Sequence, residues 1–245
     1  MAVRKSDCHF FYNKMKVSVI LNTYNEKENY LTEAINSYIQ QDCETEIIIS
    51  TLSDDKNLGL IKSFPQVKIA LLGKNLHPGK CPKGSFMQIN NALPLITGEW
   101  FSFASSNDVA YKHKNSTEVQ CCLKNDTLVC YSAFDVIDEM GNKTKTNFFH
   151  DYDFKKHLSG NFVSDCSLIN VDMAKKFMPF DLSLNNYAYW HLWLSVFENE
   201  GNVFCYNSVP TWGYRNDKNS MHLNRTIEQI ESFKQDRERM LNLHR

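Results

Sequence analysis

The sequence predicts an α/β protein with a mostly parallel central sheet and helices on both faces. Three observations carry that expectation. Short apolar runs alternate with stretches of helical spacing, several of those runs end in oxygen-bearing side chains, and no repeat or low-complexity tract interrupts the alternation. Strand–helix alternation of this kind is the sequence form of a parallel sheet covered on both sides.

Val17–Leu21 reads as a buried strand running into Asn22, Thr23, Tyr24, Asn25 and Glu26. Tyr30, Leu31, Ala34, Ile35, Tyr38 and Ile39 recur at helical spacing, so residues 28–40 form an amphipathic helix. Glu46–Thr51 is a second strand that ends in Ser53, Asp54 and Asp55, and Val67–Leu72 is a third. A helix over 84–96 carries Phe86, Met87, Ile89, Leu93 and Ile96, with Pro94 distorting its end. Trp100–Ala104 is a fourth strand; it stops at Ser105, Ser106, Asn107 and Asp108. Leu128–Ala133 is a fifth, and Gly141 marks a hairpin turn. Residues 145–245 look less regular and rich in aromatics, closing with a helix that Thr226 would cap and that Ile227, Ile230, Phe233 and Met240 would anchor.

The composition removes several classes of function. With 245 residues, 42% hydrophobic and 13% aromatic, the chain can bury a sizeable core. A net charge of −1 offers no basic footprint for nucleic acid or an anionic membrane. No apolar run approaches the ~18–20 residues of a membrane span, and the start of the chain lacks the apolar core of a signal peptide. The eight cysteines contain no Cys-x-x-Cys and no Cys/His spacing suited to structural zinc, so they read as reduced core residues of a cytoplasmic protein. On that reading the sequons at Asn115, Asn125, Asn142 and Asn224 are by-products of an Asn-rich chain.

Two nucleotide folds fail at their defining turns. No Gly-x-Gly-x-x-Gly follows the first strand, which excludes a dinucleotide-binding fingerprint. The segment from Gly79 to Ser85 has a phosphate-loop look, but no Lys follows Gly84 and Pro82 removes an amide the phosphate nest needs.

The ordered succession of motifs over about residues 16–222 resembles the family-two glycosyltransferases. Val17–Glu26 is similar to their opening strand, and Glu46–Thr51 with Ser53, Asp54 and Asp55 to their second strand and acidic turn. Gly84–Ala92 followed by Gly98–Phe101 resembles the donor-side helix and the lead-in to the metal motif, with Ser105–Asp108 where the family has Asp-x-Asp. Phe180–Leu184 with Trp190–Leu194 resembles the acceptor-side helix, and Tyr214, Arg215 and Asn219–Met221 resemble the late segment. The resemblance implies a GT-A fold, a Rossmann-like sheet spanning residues 1–245 as one domain. Residues 16–110 would form a nucleotide-sugar half and residues 111–245 a less regular acceptor half.

The implied activity is inverting transfer of a hexosyl or deoxyhexosyl group from a nucleotide-diphosphate sugar to a hydroxyl of a glycan, lipid-linked or polysaccharide acceptor. A UDP-sugar is favoured, and GDP- or TDP-sugars are alternatives. Asn22, Thr23, Tyr24, Glu26, Asp54, Asp55 and Asn107 would line the nucleotide site. Asp108 would hold Mn²⁺ or Mg²⁺, with Asn107 or Ser105 as neutral oxygen ligands; Ser105 and Asn107 stand where the family has carboxylates. The diphosphate or acceptor would meet Arg215, His222 and the ring of Trp212, while Trp190 and Trp193 suit the core and Lys80 and Lys83 are solvated.

The base is where chain and family part. Tyr189 occupies the position of the family's catalytic Asp, and a phenol with a pKa near ~10 is a poor base at neutral pH. Asp165 and His191 are the replacements, ahead of Asp151 and Asp153. A helical His191 points about 200° away from position 189. A nucleotide-sugar-binding module without turnover is the competing expectation. A nucleotidyltransferase is a third, weakened by the missing glycine-rich basic loop.

Overall fold

The computed structural model describes residues 15–74, 83–184, 187–217 and 227–244. Its seven-stranded sheet runs in the order β10-β6-β9-β4-β1-β2-β3. The strands are β1 (Val17–Asn22), β2 (Thr45–Leu52), β3 (Val67–Leu72), β4 (Trp100–Ser105), β6 (Val129–Ser132), β9 (Leu168–Asn170) and β10 (Phe204–Asn207). β1 pairs in parallel with both β2 and β4, and Asn22 stands in register with Ser50 on one side and Ser105 on the other. β9 is antiparallel to β4 and to β6. A four-stranded sheet, β5 (Val109–Ala110), β11 (Trp212–Arg215), β7 (Phe134–Ile137) and β8 (Lys143–Asn147), lies in the order β5-β11-β7-β8.

Side-chain alternation splits the core between the two faces of the large sheet. Val17, Val19, Leu21, Ile47 and Ile49 pack beneath Leu31, Ala34, Ile35 and Tyr38 of α1 (Glu28–Ile39), Ile61 of α2 (Leu58–Lys62) and Val119 of α4 (Lys114–Asn125). Ile20, Ile48, Phe101 and Phe103 face the other way, toward Phe86 and Ile89 of α3 (Lys83–Ala92), Met173 of α6 (Val171–Phe177) and Trp193 of α7 (Ala188–Glu200). Each fully buried aliphatic or aromatic side chain contributes about 1.5–3 kcal/mol. A strand burying both faces is therefore fixed in register, because a one-residue slip would exchange the two sets.

Local chemistry fixes several boundaries. The helix expected over 84–96 ends at Ala92, and Pro94 lies in a separate 3₁₀ turn, Leu93–Leu95. Gly98 has no room for a side chain: a Cβ there would sit 2.6 Å from the Lys16 carbonyl oxygen. Its N–H instead donates to Ser18 Oγ at 2.9 Å, tying the entry of β4 to β1. The buried Glu46 completes that clamp. Burial alone would raise its pKa, but hydrogen bonds from Lys68, Thr97 and Ser18 hold it at about 2.

The hairpin expected at Gly141 is present, with Gly141 at φ +85° between β7 and β8. Asp153 caps α5 (Phe154–Ser159) by accepting the Lys156 N–H. The closing helix is α8 (Ile227–Asn242), yet Ile227 and Ile230 are exposed, and the buried anchors are Met240 and Leu241. Thr226 lies outside the described residues. The second half is more regular than its sequence pattern suggested, because β5, β7, β8 and β11 are too short for a clear period.

Candidate active site

Parallel β1, β2 and β4 all deliver their C-terminal ends to one edge, where open α/β sheets bind ligands. β9 runs antiparallel to β4, so the turn that precedes β9 reaches the same edge, and Asp165 is in that turn. This brings together Asp108 and Asp165, which are 57 positions apart by subtraction of their numbers.

At the end of β1, Thr23 donates its N–H to the Ser50 carbonyl, while the Gln88 side chain of α3 donates to the Thr23 carbonyl at 2.8 Å. Asn22 Nδ2 donates to Ser85 Oγ at 2.6 Å. The Thr23 hydroxyl is buried at this edge with no hydrogen-bond partner among the described residues. Tyr24 OH reaches Asp54 at 3.5 Å, a long contact between two side chains at the exposed rim. Asp55 differs: it is buried, accepts Thr51 Oγ1 at 2.6 Å and the Asn57 N–H at 2.8 Å, and so closes the turn into α2. Glu26 accepts from Ser106 Oγ at 3.3 Å, linking the loop after β1 to the loop after β4.

Asp108 is buried, and its Oδ1 accepts the Arg215 N–H at 2.8 Å. Burial pushes its pKa up to about 7. The Arg215 N–H opposes that rise, the Asp165 charge adds to it, and the Arg215 charge and a Ser105 hydrogen bond oppose it further. The same two carboxylates act on Tyr214, whose phenol is raised by burial first and then by Asp108 and Asp165. Tyr189 also faces Asp165: burial, then the Asp165 and Cys166 charges, hold its phenol well above the usual value. Its ring is wedged among Phe86, Phe103 and Phe180. Where the family has a carboxylate, this chain places an un-ionised phenol edge-on in an aromatic cluster.

Arg215 is a builder of the site. Its guanidinium is buried and donates to the carbonyls of Asn107, Asp138 and Glu139 and to the Glu33 carboxylate, and it lies 4.4 Å from the Tyr30 ring centroid. These bonds hold the Asn107–Asp108 loop, a structural role beside the diphosphate contact expected of it. Trp212, expected as a sugar platform, is likewise buried and stacks on Phe134 at 4.6 Å between centroids. His191 points elsewhere: its Nδ1 meets His244 Nε2 at 2.8 Å, and the charges acting on it are His244, Asp181 and Glu198. Trp190 and Trp193 are in the core, as expected. His222 and Lys80 lie outside the described residues.

A buried ion pair supports the Asp165 turn from below. Lys114 Nζ donates to Glu118 Oε2 at 2.6 Å and to the Cys166 carbonyl at 2.9 Å, while Glu118 Oε1 accepts from Ser132 and Thr211. Sequence reasoning passed over this pair and over Glu33, and it met Tyr214, Ser85 and Gln88 only inside longer matching segments. For Lys114 and Glu118 the signal was their i,i+4 spacing beside Val119 and Cys122; for Glu33 no local pattern marks it.

The donor set suits a hard divalent cation. The Asp165 charge opposes ionisation of Asp108, Ser105 adds a neutral oxygen beside Asp108, and a cation at Asp108 would relieve the penalty on its ionised form.

The S. aureus protein TarS, residues 1–349 in complex with UDP, superposes with a TM-score of 0.69 over 94% of this chain and 65% of that one, at 18% identity. The complex of TarS 1–349 with UDP-GlcNAc gives a TM-score of 0.64 over 91% and 65% at 16% identity. At such identities the similarity is one of fold. Among curated proteins, an uncharacterized glycosyltransferase of Rickettsia conorii is 29% identical over 147 residues, 59% of this chain and 24% of that protein. One of Methanocaldococcus jannaschii is 26% identical over 201 residues, 77% of this chain and 67% of that protein. No protein-family model matches the chain. The chain thus shares the α/β fold of TarS, and the curated proteins it resembles are named glycosyltransferases, of which it spans from about a quarter to two thirds of the length.

Proposed function

We propose that the chain transfers a glycosyl group, with inversion, from a nucleotide-diphosphate sugar to an acceptor hydroxyl, and that Asp165 is the base. The single observation that carries this reading is the juxtaposition of Asp108 and Asp165 at the C-terminal edge of the sheet. A UDP-sugar is the favoured donor, supported by the UDP and UDP-GlcNAc complexes of the structural neighbour. Asp54, Tyr24 and the unpartnered Thr23 hydroxyl would meet the nucleoside, and Glu26 would hold its loop. Asp108, with Asn107 and Ser105, would hold Mn²⁺ or Mg²⁺, which supplies positive charge to the leaving diphosphate.

Asp165, exposed at the rim, would take the acceptor proton. The Tyr189 phenol stays protonated and shapes the pocket wall. We assign residues 16–110 to the donor half and residues 111–245 to the acceptor half of one GT-A domain. None of the described helices is long and apolar enough to cross a membrane, and we place the enzyme in the cytoplasm.

The second reading, a nucleotide-sugar-binding module, is favoured by one feature, the phenol of Tyr189 in place of a carboxylate. Incubating the protein with a panel of UDP-, GDP- and TDP-sugars and Mn²⁺, read by mass spectrometry for release of the nucleoside diphosphate, separates the two. Release that falls in Asp165→Asn supports the transferase. Tight donor binding with no release from any donor gives the module.

A further inference from the structure

Four cysteines that show no motif in sequence converge on one spot between α4 and the edge of the large sheet. Cys130 of β6 and Cys205 of β10 are register partners on adjacent parallel strands, so their side chains leave the same face side by side. α4 packs over that face and brings Cys121 and Cys122. The sulfurs of Cys121, Cys130 and Cys205 all lie within 4.8 Å of one another. Cys122 Sγ is 3.8 Å from Cys205 Sγ.

In a tetrahedral zinc–thiolate centre, Zn–S bonds of about 2.3 Å set the sulfurs about 3.8 Å apart. Cys122 and Cys205 are already at that spacing, and the sulfurs of Cys121, Cys130 and Cys205 need to close in by no more than about 1 Å. We propose that Cys121, Cys130 and Cys205, with Cys122 beside Cys205, form a three-thiolate site for a soft d¹⁰ cation of the Zn²⁺ or Cu⁺ type, separate from the hard-oxygen pocket around Asp108.

Two side chains beside the cluster favour ionised sulfur, against a burial that raises the Cys130 thiol. The Thr127 hydroxyl, beside Cys122 and Cys205, is among the groups that favour their ionised sulfurs. Asn125 Nδ2 donates to Cys121 Sγ at 3.6 Å. The Cys205 thiol donates to Cys122 Sγ at 3.8 Å, so the two sulfurs are already in contact. Loading releases one proton per coordinating thiol to solvent, with no change of oxidation state. Cys121 is half-buried and gives the ion an entry path, whereas Cys122 and Cys130 are closed off. Soft sulfur ligands discriminate against Mg²⁺ and Mn²⁺, so the two sites would not compete for one ion.

The test uses the full chain, purified reduced and anaerobic. Bound metal is measured by elemental analysis, and Co²⁺ is titrated while watching for thiolate-to-cobalt charge transfer and the visible bands of tetrahedral Co²⁺. The expected result is one equivalent of soft metal, a Co²⁺ spectrum displaced by Zn²⁺, and loss of both in Cys130→Ser and Cys205→Ser, while Cys43→Ser keeps them. If either cluster variant fails to fold, the wild type decides alone: its melting temperature should rise with Zn²⁺ and fall with a thiophilic chelator. No tetrahedral Co²⁺ spectrum in the reduced wild type would overturn the site. So would a spectrum that survives in folded Cys205→Ser, since Cys8 or Cys81 would then be the ligands.

Discussion

Asp108→Asn isolates the electrostatic state of the candidate site. The amide keeps an oxygen to accept the Arg215 N–H but removes the charge that burial and Asp165 oppose. The wild-type carboxyl rises from 3.8 to about 7 on folding. At about 1.4 kcal/mol per tenfold in proton affinity, that is a penalty on the ionised form of roughly 4 kcal/mol, an upper bound before the site relaxes. The sign follows from linkage. A group whose folded pKa is raised favours the fold below its unfolded value, and that stability is lost as pH rises toward about 7. The variant carries no such loss. Asp108→Asn should therefore match the wild type near pH 4 and exceed it by roughly 2–4 kcal/mol near pH 8 without metal. Urea unfolding at both pH values, with EDTA, reads the difference. Adding Mn²⁺ and UDP at pH 8 should then stabilise the wild type and leave Asp108→Asn nearly unmoved. A difference between the proteins that is flat from pH 4 to 8, or a variant less stable at pH 8, would refute the reasoning and make Asp108 a simple loop cap.

Asp165→Asn should lower single-turnover kcat by about 10²–10⁴-fold while sparing donor affinity; it should also shift the Asp108-linked stability loss to lower pH, which a purely structural role would not do. Asp54→Ala should weaken UDP binding by calorimetry with the melting temperature unchanged, whereas Asp55→Ala should destabilise by about 1–3 kcal/mol, because Thr51 and Asn57 lose their acceptor. The reverse assignment of effects would exchange the two roles. Lys114→Met should destabilise by about 3–5 kcal/mol by stranding Glu118, and Lys114→Met with Glu118→Gln should recover much of it; denaturant unfolding of both variants decides, and a double variant no better than the single would contradict the pairing.

The strands and helices of the first half were legible because their signals are local. Val17–Leu21 and Glu46–Thr51 are apolar runs long enough to state their own state, and α1 states its face by spacing. The carboxylates at strand ends were legible for the same reason: a buried run that stops at Asp108 says where its edge is. The roles of Arg215 and Trp212 could not be read that way. A Tyr-Arg pair after an aromatic looks the same whether the guanidinium faces a ligand or is buried against Asn107, Asp138, Glu139 and Glu33.

The places of Asp165 and His191 were only half legible: helical spacing already turned His191 away from position 189, but nothing local put Asp165 at the edge. They depend on β9 running antiparallel to β4, which carries Asp165 to the edge, and on α7 being helical at residue 191, which turns that imidazole toward His244. The cysteines make the same point, since Cys122 and Cys205 touch across 83 positions only because β10 lies beside β6 under α4. By itself the sequence determined what short-range periodicity and strand-end chemistry can encode: the alternating elements, the faces they bury and the acidic turns. Strand order and direction decided which distant side chains meet, because those are set by how buried faces pack against one another, and no residue carries that information alone.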